Sequence, residues 1–488
     1  MPNQLTRRDF CRQTSLGASV LAAGLSHAGA AETRPNIVYV LADDLGWGDM
    51  SCYNPQSAIP TPNGNRLATQ GMRFTDMHSP SAVCTPTRYG ILTGRYCWRT
   101  RLKKSVLNGY SPSLIEEGRL TVPAMLKSRG YYTAGVGKWH LGLGNAEPAD
   151  YSKPFHPCPT DRGFDYYYGI PASLDMPPYL YFENDHALAQ PTGTTPGSSA
   201  PRGVYWRSGP IVPDMQLDQV LPSITDKAVR IIEDRAKVPD QPFFLYVALS
   251  GPHTPWLPLA ANKGRSKAGD YGDFVTEVDD LLGRIVQALA EAKLADNTLL
   301  IFTSDNGADW KTEDRERYAH LANATWRGEK ADVWDGGHRI PFLARWPRHI
   351  RPGSVNNHLG CLTDLMGTLA ALTGVKLPDN AGEDSFNLLP ELLGPPARAV
   401  RDSIVHHSNG GMFAIREGTW KLELGLGSGG FTAPVEVAQA PGGPAGQLYD
   451  LSKDPGENFN LYQKHPEVVD RLATLLEKYK ESGHTRPL

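Results

Sequence analysis

Ile37-Val38-Tyr39-Val40-Leu41-Ala42 is an unbroken apolar run that stops on two carboxylates, Asp43-Asp44. Three more runs have the same form. Tyr131-Tyr132-Thr133-Ala134-Gly135-Val136-Gly137 runs into Lys138-Trp139-His140, and Phe243-Phe244-Leu245-Tyr246-Val247-Ala248-Leu249 into Gly251-Pro252-His253. Leu299-Leu300-Ile301-Phe302-Thr303 runs into Ser304-Asp305-Asn306-Gly307. Strands that are apolar throughout are covered on both faces, as in a parallel sheet between helix layers. Ligands of such sheets bind beyond the carboxyl ends of the strands. Strand ends bearing Asp, Lys and His, His, and Asp and Asn therefore aim at one shared site.

Helical periodicity falls between these runs, within Asp273–Leu294 and after Pro222. Gln190–Pro201 and Gly425–Gly446 read as loops, rich in Gly and Pro. Gly394-Pro395-Pro396 reads as a joint. Short strand-like runs follow at Ser403–His407, Met412–Arg416 and Lys421–Leu424, then an amphipathic helix near Pro466–Lys480. The expected fold is α/β: a large mixed, mostly parallel sheet between helices over residues 31–395, with a small α+β domain on a short antiparallel sheet over 396–488.

Residues 1–30 read as an export signal of twin-arginine type. Arg7-Arg8 precedes a short apolar run, Leu16–Leu25, and Ala28-Gly29-Ala30 gives a small-x-small end. A bacterial periplasmic or secreted protein handled by the twin-arginine machinery is expected, with no membrane span in the mature chain. The net charge of −3, with no block of Lys and Arg, disfavours nucleic acid. An anionic substrate would need local positive charge or a metal. Of the six cysteines, Cys11 leaves with the signal, and Cys52, Cys97, Cys158 and Cys361 allow several pairings.

Asp43-Asp44 alone reads as a solvated turn or a hard-oxygen pair, and Asp305-Asn306-Gly307 as a turn or a second pair. Together they offer oxygen donors suited to Ca²⁺ or Mg²⁺ rather than zinc. Cys84-Thr85-Pro86-Thr87-Arg88 sets a cysteine just ahead of a helix start, with Arg88 one turn further on the same face. A helix N-terminus, a metal and a guanidinium would all favour an oxyanion at position 84. Lys138 is a candidate fixed cation and His140 a candidate base, although met alone they read first as a surface lysine and a packed histidine. His253 lies in a stiff loop between Pro252 and Thr254-Pro255, and Lys330 ahead of Asp335-Gly336-Gly337.

The chain resembles the type I, formylglycine-dependent sulfatases of the alkaline phosphatase superfamily. The matched pieces are Asp43–Asp49, Cys84–Arg95, Gly137–Gly142, Gly251–Pro255, Ser304–Gly307 and Arg327–Pro341, in the family's order, with Leu448–Glu457 in the tail. Asp335 departs from the family's usual glutamate. The resemblance implies that Cys84 is converted to formylglycine (3-oxoalanine) by a maturing enzyme. It implies Ca²⁺ held by Asp43, Asp44, residue 84, Asp305 and Asn306. It implies catalytic roles for Arg88, Lys138, His140, His253, Lys330 and Asp305: Lys138, Lys330 and His253 face the sulfate, His253 protonates the leaving alcohol, Asp305 takes the attacking proton, and His140 deprotonates the second hydroxyl of the hydrate. Aromatic residues in 146–213 and 308–326, among them Trp206, Trp310, Trp326 and Tyr166–Tyr168, suit a sulfated saccharide. Rival readings are a phosphonate monoester or phosphodiester hydrolase of the same superfamily, and a carbohydrate-binding protein whose Cys84 stays a thiol.

Overall fold

Thr298–Ser304, Asn36–Asp43, Phe243–Pro252, Tyr132–Lys138 and Tyr166–Ile170 lie side by side and parallel at the centre of a ten-stranded sheet. The computed structural model describes residues 34–394 and 396–488. The signal expected in residues 1–30, and Pro395 in the expected joint, lie outside the described residues. Phe342–Arg345 and Phe182–Glu183 join antiparallel toward the two edges, so the sheet is mixed but mostly parallel, as expected.

The apolar runs form strands because both sheet faces are covered. Ile37, Tyr39 and Leu41 enter one core, while Val38, Val40 and Ala42 enter the other. Each fully buried aliphatic side chain of this strand contributes about 1.5–3 kcal/mol of transfer free energy. The second core is covered by the helices Val220–Ala236 and Gly269–Glu291. Register then aligns the polar ends: Ala42 pairs with Ser304, Asp43 with Pro252, and Ala248 with Gly137.

The tail forms a four-stranded antiparallel sheet of Ser403–His407, Phe413–Glu417, Trp420–Glu423 and Gln447–Asp450. Helix Pro466–Ser482 packs on it through Val469, Leu472 and Leu476. The Gln447–Asp450 strand was not expected, and Gly193–Thr195, inside an expected loop, pairs with Gly209–Ile211. Both are too short to show a period. Pro35–Leu488 forms one compact unit. Buried Lys421 ties the tail to the short helix Asp335–His338, donating to Glu457 Oε1 at 2.6 Å and Asp335 Oδ1 at 3.0 Å. Cys52, Cys84, Cys97, Cys158 and Cys361 are free thiols. Among the described residues no helix is long and apolar enough to cross a membrane.

Gly137 sets the last step of its strand. Its φ is +109°, and a Cβ there would lie 1.8 Å from the Ala248 carbonyl oxygen. Gly137→Ala is expected to cost on the order of 2–4 kcal/mol and to displace Lys138, read as a lower Tm with loss of activity.

Candidate active site

Cys84 is the first residue of helix Cys84–Thr93, not the residue ahead of it. Val83, extended at φ −144° and ψ 157°, is the N-cap. Pro86 falls within the first turn, where its missing N–H leaves no hydrogen bond unmade. Every residue of this helix is buried, so the thiol and the Arg88 guanidinium are driven together into the strand-end pocket. Asp44 turns the chain with φ +64°, a conformation that aspartate tolerates better than most residues.

The predicted residues converge through direct contacts. Cys84 Sγ–H donates to Asp43 Oδ1 at 3.6 Å, and Lys138 Nζ donates to Asp43 Oδ2 at 2.6 Å. Arg88 donates from Nη2 and Nε to Asp305 Oδ2 at 2.7 and 3.1 Å, and its Nη2 lies 3.5 Å from Asp43 Oδ2. Lys330 Nζ donates to Asp44 Oδ2 at 2.7 Å, and His253 Nε2 lies 3.7 Å from the same oxygen. Asn306 Nδ2 donates to Asp44 Oδ1 at 2.7 Å. Asp305 Oδ1 accepts from the Asp44 backbone N–H at 3.2 Å, so both of its oxygens are engaged.

Burial and charge set the protonation states. Burial pushes the Cys84 thiol far above its usual range, although Lys138 and Lys330 oppose it. Burial alone would raise Asp43, yet Lys138, then His253 and Arg88, hold it below the ordinary carboxylate range. Burial would lower both lysines, but Asp43 keeps Lys138 charged and Asp44 keeps Lys330 charged, each above its usual value. Burial, then the Lys138 and Arg88 cations, force His140 well below the ordinary histidine value.

His140 stands apart from the contact network. Its Nε2 reaches the Leu107 carbonyl at 2.7 Å, which can only accept, so the proton sits there and the buried Nδ1 lone pair has no partner. The ring is a neutral base by construction. His253 Nδ1 likewise faces the Thr254 carbonyl at 2.6 Å, which leaves Nε2 toward the site.

Ser173 was missed by sequence reasoning. Its Oγ lies 3.0 Å from Lys138 Nζ and 3.3 Å from the His253 ring, linking the two. Reading Tyr166–Tyr168 as a strand instead of a recognition loop would have pointed to the residues just beyond it. Tyr167 and Trp310 are core residues, at 0% and 1% exposure.

The donor set fits a hard divalent cation. Carboxylate oxygens of Asp43 and Asp44 lie within 4.8 Å of Cys84 Sγ and a His253 nitrogen. Asn306 Oδ1 is buried without a hydrogen-bond partner, an orphaned oxygen beside two carboxylates. Asp305 lies outside that tight group, and its oxygens accept from Arg88 and the Asp44 N–H.

Since the folded chain refuses His140 a proton that the unfolded chain accepts below about 6.5, this residue costs stability only as pH falls below that value. His140→Gln is expected to flatten the decline of Tm between about pH 7 and 5. Equal slopes in variant and wild type would take His140 out of the buried neutral set.

Residues 35–375 match the family model described as Sulfatase. The chain is 34% identical to an N-acetylgalactosamine-6-O-sulfatase of Bacteroides thetaiotaomicron, over 92% of this chain and 93% of that protein. It is 36% identical to human arylsulfatase A, over 93% and 89% of the two. A solved structure from work on glycosaminoglycan metabolism by Bacteroides thetaiotaomicron superposes with a TM-score of 0.81 at 34% identity, covering 92% of this chain and 100% of that one.

Proposed function

The chain belongs to the sulfatase family, a group of sulfuric ester hydrolases, and on that premise we propose that it hydrolyses sulfate esters of carbohydrates. The observation that carries the detailed reading is the state of position 84. A thiol that burial keeps protonated and that hydrogen-bonds Asp43 is a poor nucleophile as encoded, yet it sits among Lys138, Lys330, Arg88 and His253. Conversion of Cys84 to formylglycine by a maturing enzyme would put an aldehyde hydrate, with two hydroxyls, where the thiol stands. Asp43, Asp44, residue 84, Asp305 and Asn306 would hold Ca²⁺, and Mg²⁺ likewise prefers oxygen ligands. When bound, the cation would polarise the sulfate and lower the pKa of the attacking hydroxyl.

The chain's own residues do the remaining work. Lys138 and Lys330 are fixed cations for the sulfate oxygens, whose charge redistributes as sulfur is attacked. Ser173 holds Lys138 and His253 in register. With Nδ1–H committed to the Thr254 carbonyl, His253 carries any second proton on Nε2, the atom placed to protonate the leaving alcohol. His140 Nδ1 is the base for the later proton removal that frees sulfate. Arg88 fixes Asp305, and both of its strong contacts there make it a clamp of the carboxylate ends. Asp305 remains the proposed acceptor of the first proton.

The same reading takes residues 1–30 as a twin-arginine export signal and places the protein in the periplasm or outside the cell. It takes 31–395 as the catalytic domain and 396–488 as a subdomain braced on it by Lys421. N-acetylgalactosamine 6-sulfate is the first saccharide to assay, because relatives at 34% and 31% identity are named for that activity.

Cys84→Ala is expected to lower turnover of a sulfated saccharide by at least about a thousandfold. The Cys84 peptide of active protein is expected to be lighter than its sequence mass, and a full thiol mass in active protein would refute the conversion. Ca²⁺ at about 100 times its Kd is expected to stabilise the fold by about 2.7 kcal/mol, seen as a rise in Tm that EDTA reverses. Asp44→Asn is expected to abolish that rise, and a Tm indifferent to Ca²⁺ and EDTA in the wild type would refute the cation site.

A further inference from the structure

Three histidines meet where the tail sheet joins the main body, and the chemistry above uses none of them. His78 ends the short strand Met77–His78, on the segment that leads into Cys84. His338 ends the helix Asp335–His338 beyond Lys330, and His406 lies in the first tail strand. Each is at 0% exposure, and one nitrogen from each lies within 4.8 Å of the others.

The outer nitrogen of each ring faces a group that can only accept. His78 Nε2 lies 2.9 Å from Asp76 Oδ1, His338 Nε2 3.1 Å from the Val333 carbonyl, and His406 Nδ1 3.0 Å from the Ser79 carbonyl. Burial holds all three rings below the ordinary histidine value, so each is neutral and carries one proton. That proton belongs on the outer nitrogen. Lys421 Nζ, 3.3 Å from His338 Nε2, does not reverse this, because its three N–H bonds go to the Val333 carbonyl, Asp335 Oδ1 and Glu457 Oε1. Arg416 Nη1, 3.4 Å from His78 Nε2, donates to Asp76 Oδ1 at 2.9 Å.

Three lone pairs are left inside. His78 Nδ1 and His338 Nδ1 stand 2.9 Å apart with no proton between them, and His406 Nε2 is buried without a hydrogen-bond partner among the described residues. Neutral imidazoles whose far N–H is held by a carboxylate or a carbonyl are histidines in their metal-ligand form. Around them, Asp76, Asp335, Glu423 and Glu457 pair with Arg339, Arg416 and Lys421, four carboxyl groups against three cations, so the surroundings can accept a divalent charge.

We propose that His78, His338 and His406 form a second metal site, which takes Zn²⁺ and is separate from the carboxylate site of the catalytic pocket. Three imidazoles suit zinc, whereas the oxygens around Asp43 and Asp44 suit Ca²⁺. Zinc bound at 2.0–2.1 Å sets tetrahedral nitrogens about 3.4 Å apart. The 2.9 Å pair therefore opens slightly, and His406, stacked on His338 with ring centres 3.7 Å apart, tilts out of the stack. Water completes the tetrahedron. The ion joins the segment before Cys84, the Lys330 loop and the tail.

The test is Zn²⁺ binding by the full chain near neutral pH, after EDTA treatment and return to excess Ca²⁺. The wild type is expected to hold a single equivalent of Zn²⁺ by elemental analysis, with a rise in Tm beyond that given by Ca²⁺. His406→Gln is expected to weaken Zn²⁺ binding at least about a hundredfold. Asp44→Asn, in the catalytic pocket, and His156→Gln, in the exposed group His156, Cys158 and Asp161, are expected to bind Zn²⁺ as the wild type does. X-ray absorption at the zinc edge of the wild type is expected to show three imidazoles and no sulfur, and it decides the matter if His406→Gln fails to fold. Less than about a tenth of an equivalent bound, binding that survives His406→Gln or is lost in either of the other variants, fewer than three imidazoles, or a sulfur ligand would overturn the proposal.

Discussion

The contact on which the site depends is the buried pairing of Lys138 with Asp43, repeated by Arg88 with Asp305 and Lys330 with Asp44. Isolated charges at 0% exposure would be prohibitively costly, and each is tolerable only because an opposite charge and further hydrogen bonds meet it. The partners come from different strand ends and from a helix, so no pair forms until the sheet is in register. Conversely, a slip of one residue in any central strand would strand a charge in the core. Fold specificity and site geometry are in this sense a single constraint.

The four central strands were legible because continuous apolar runs with abrupt polar ends leave little freedom of interpretation. So was the convergence of Asp43, Asp44, Lys138, His253, Asp305 and Asn306, since it follows from the carboxyl ends of the strands sharing one side of the sheet; Cys84, on a helix, entered only through the family resemblance. Cys84 was displaced by one position because an N-cap without a capping side chain, Val83, gives no signal in the sequence. Ser173 was invisible for another reason. Three consecutive tyrosines were taken for a ligand-facing loop, whereas two of them, Tyr167 and Tyr168, are buried in the cores on the two sheet faces. Side-chain direction was also hidden: only the structure puts Lys330 toward Asp44.

Asp335 joins the Lys330 loop to the tail. Its carboxylate bonds Arg339 through Oδ2 at 2.8 Å and Lys421 through Oδ1, while its backbone N–H donates to Glu457 Oε2. It holds the Lys330 loop to the tail sheet and does not enter the pocket. The tail thus bears on the site mechanically, through the position of the loop, because Gly307 and Gly337 are joined by a backbone hydrogen bond at 2.9 Å and a Cβ on Gly307 would lie 1.9 Å from the Gly336 carbonyl.

The buried charges of the pocket balance as encoded. Asp43, Asp44 and Asp305 balance Arg88, Lys138 and Lys330, so the buried set is neutral by formal charge while the encoded thiol stays protonated. A divalent cation held by the carboxylates would make the same set positive, and in a low-dielectric pocket that excess would act strongly on a sulfate ester. Specificity among sulfate esters has to come from elsewhere, because every one of them presents the same anionic head. The groups that differ between substrates lie beyond it.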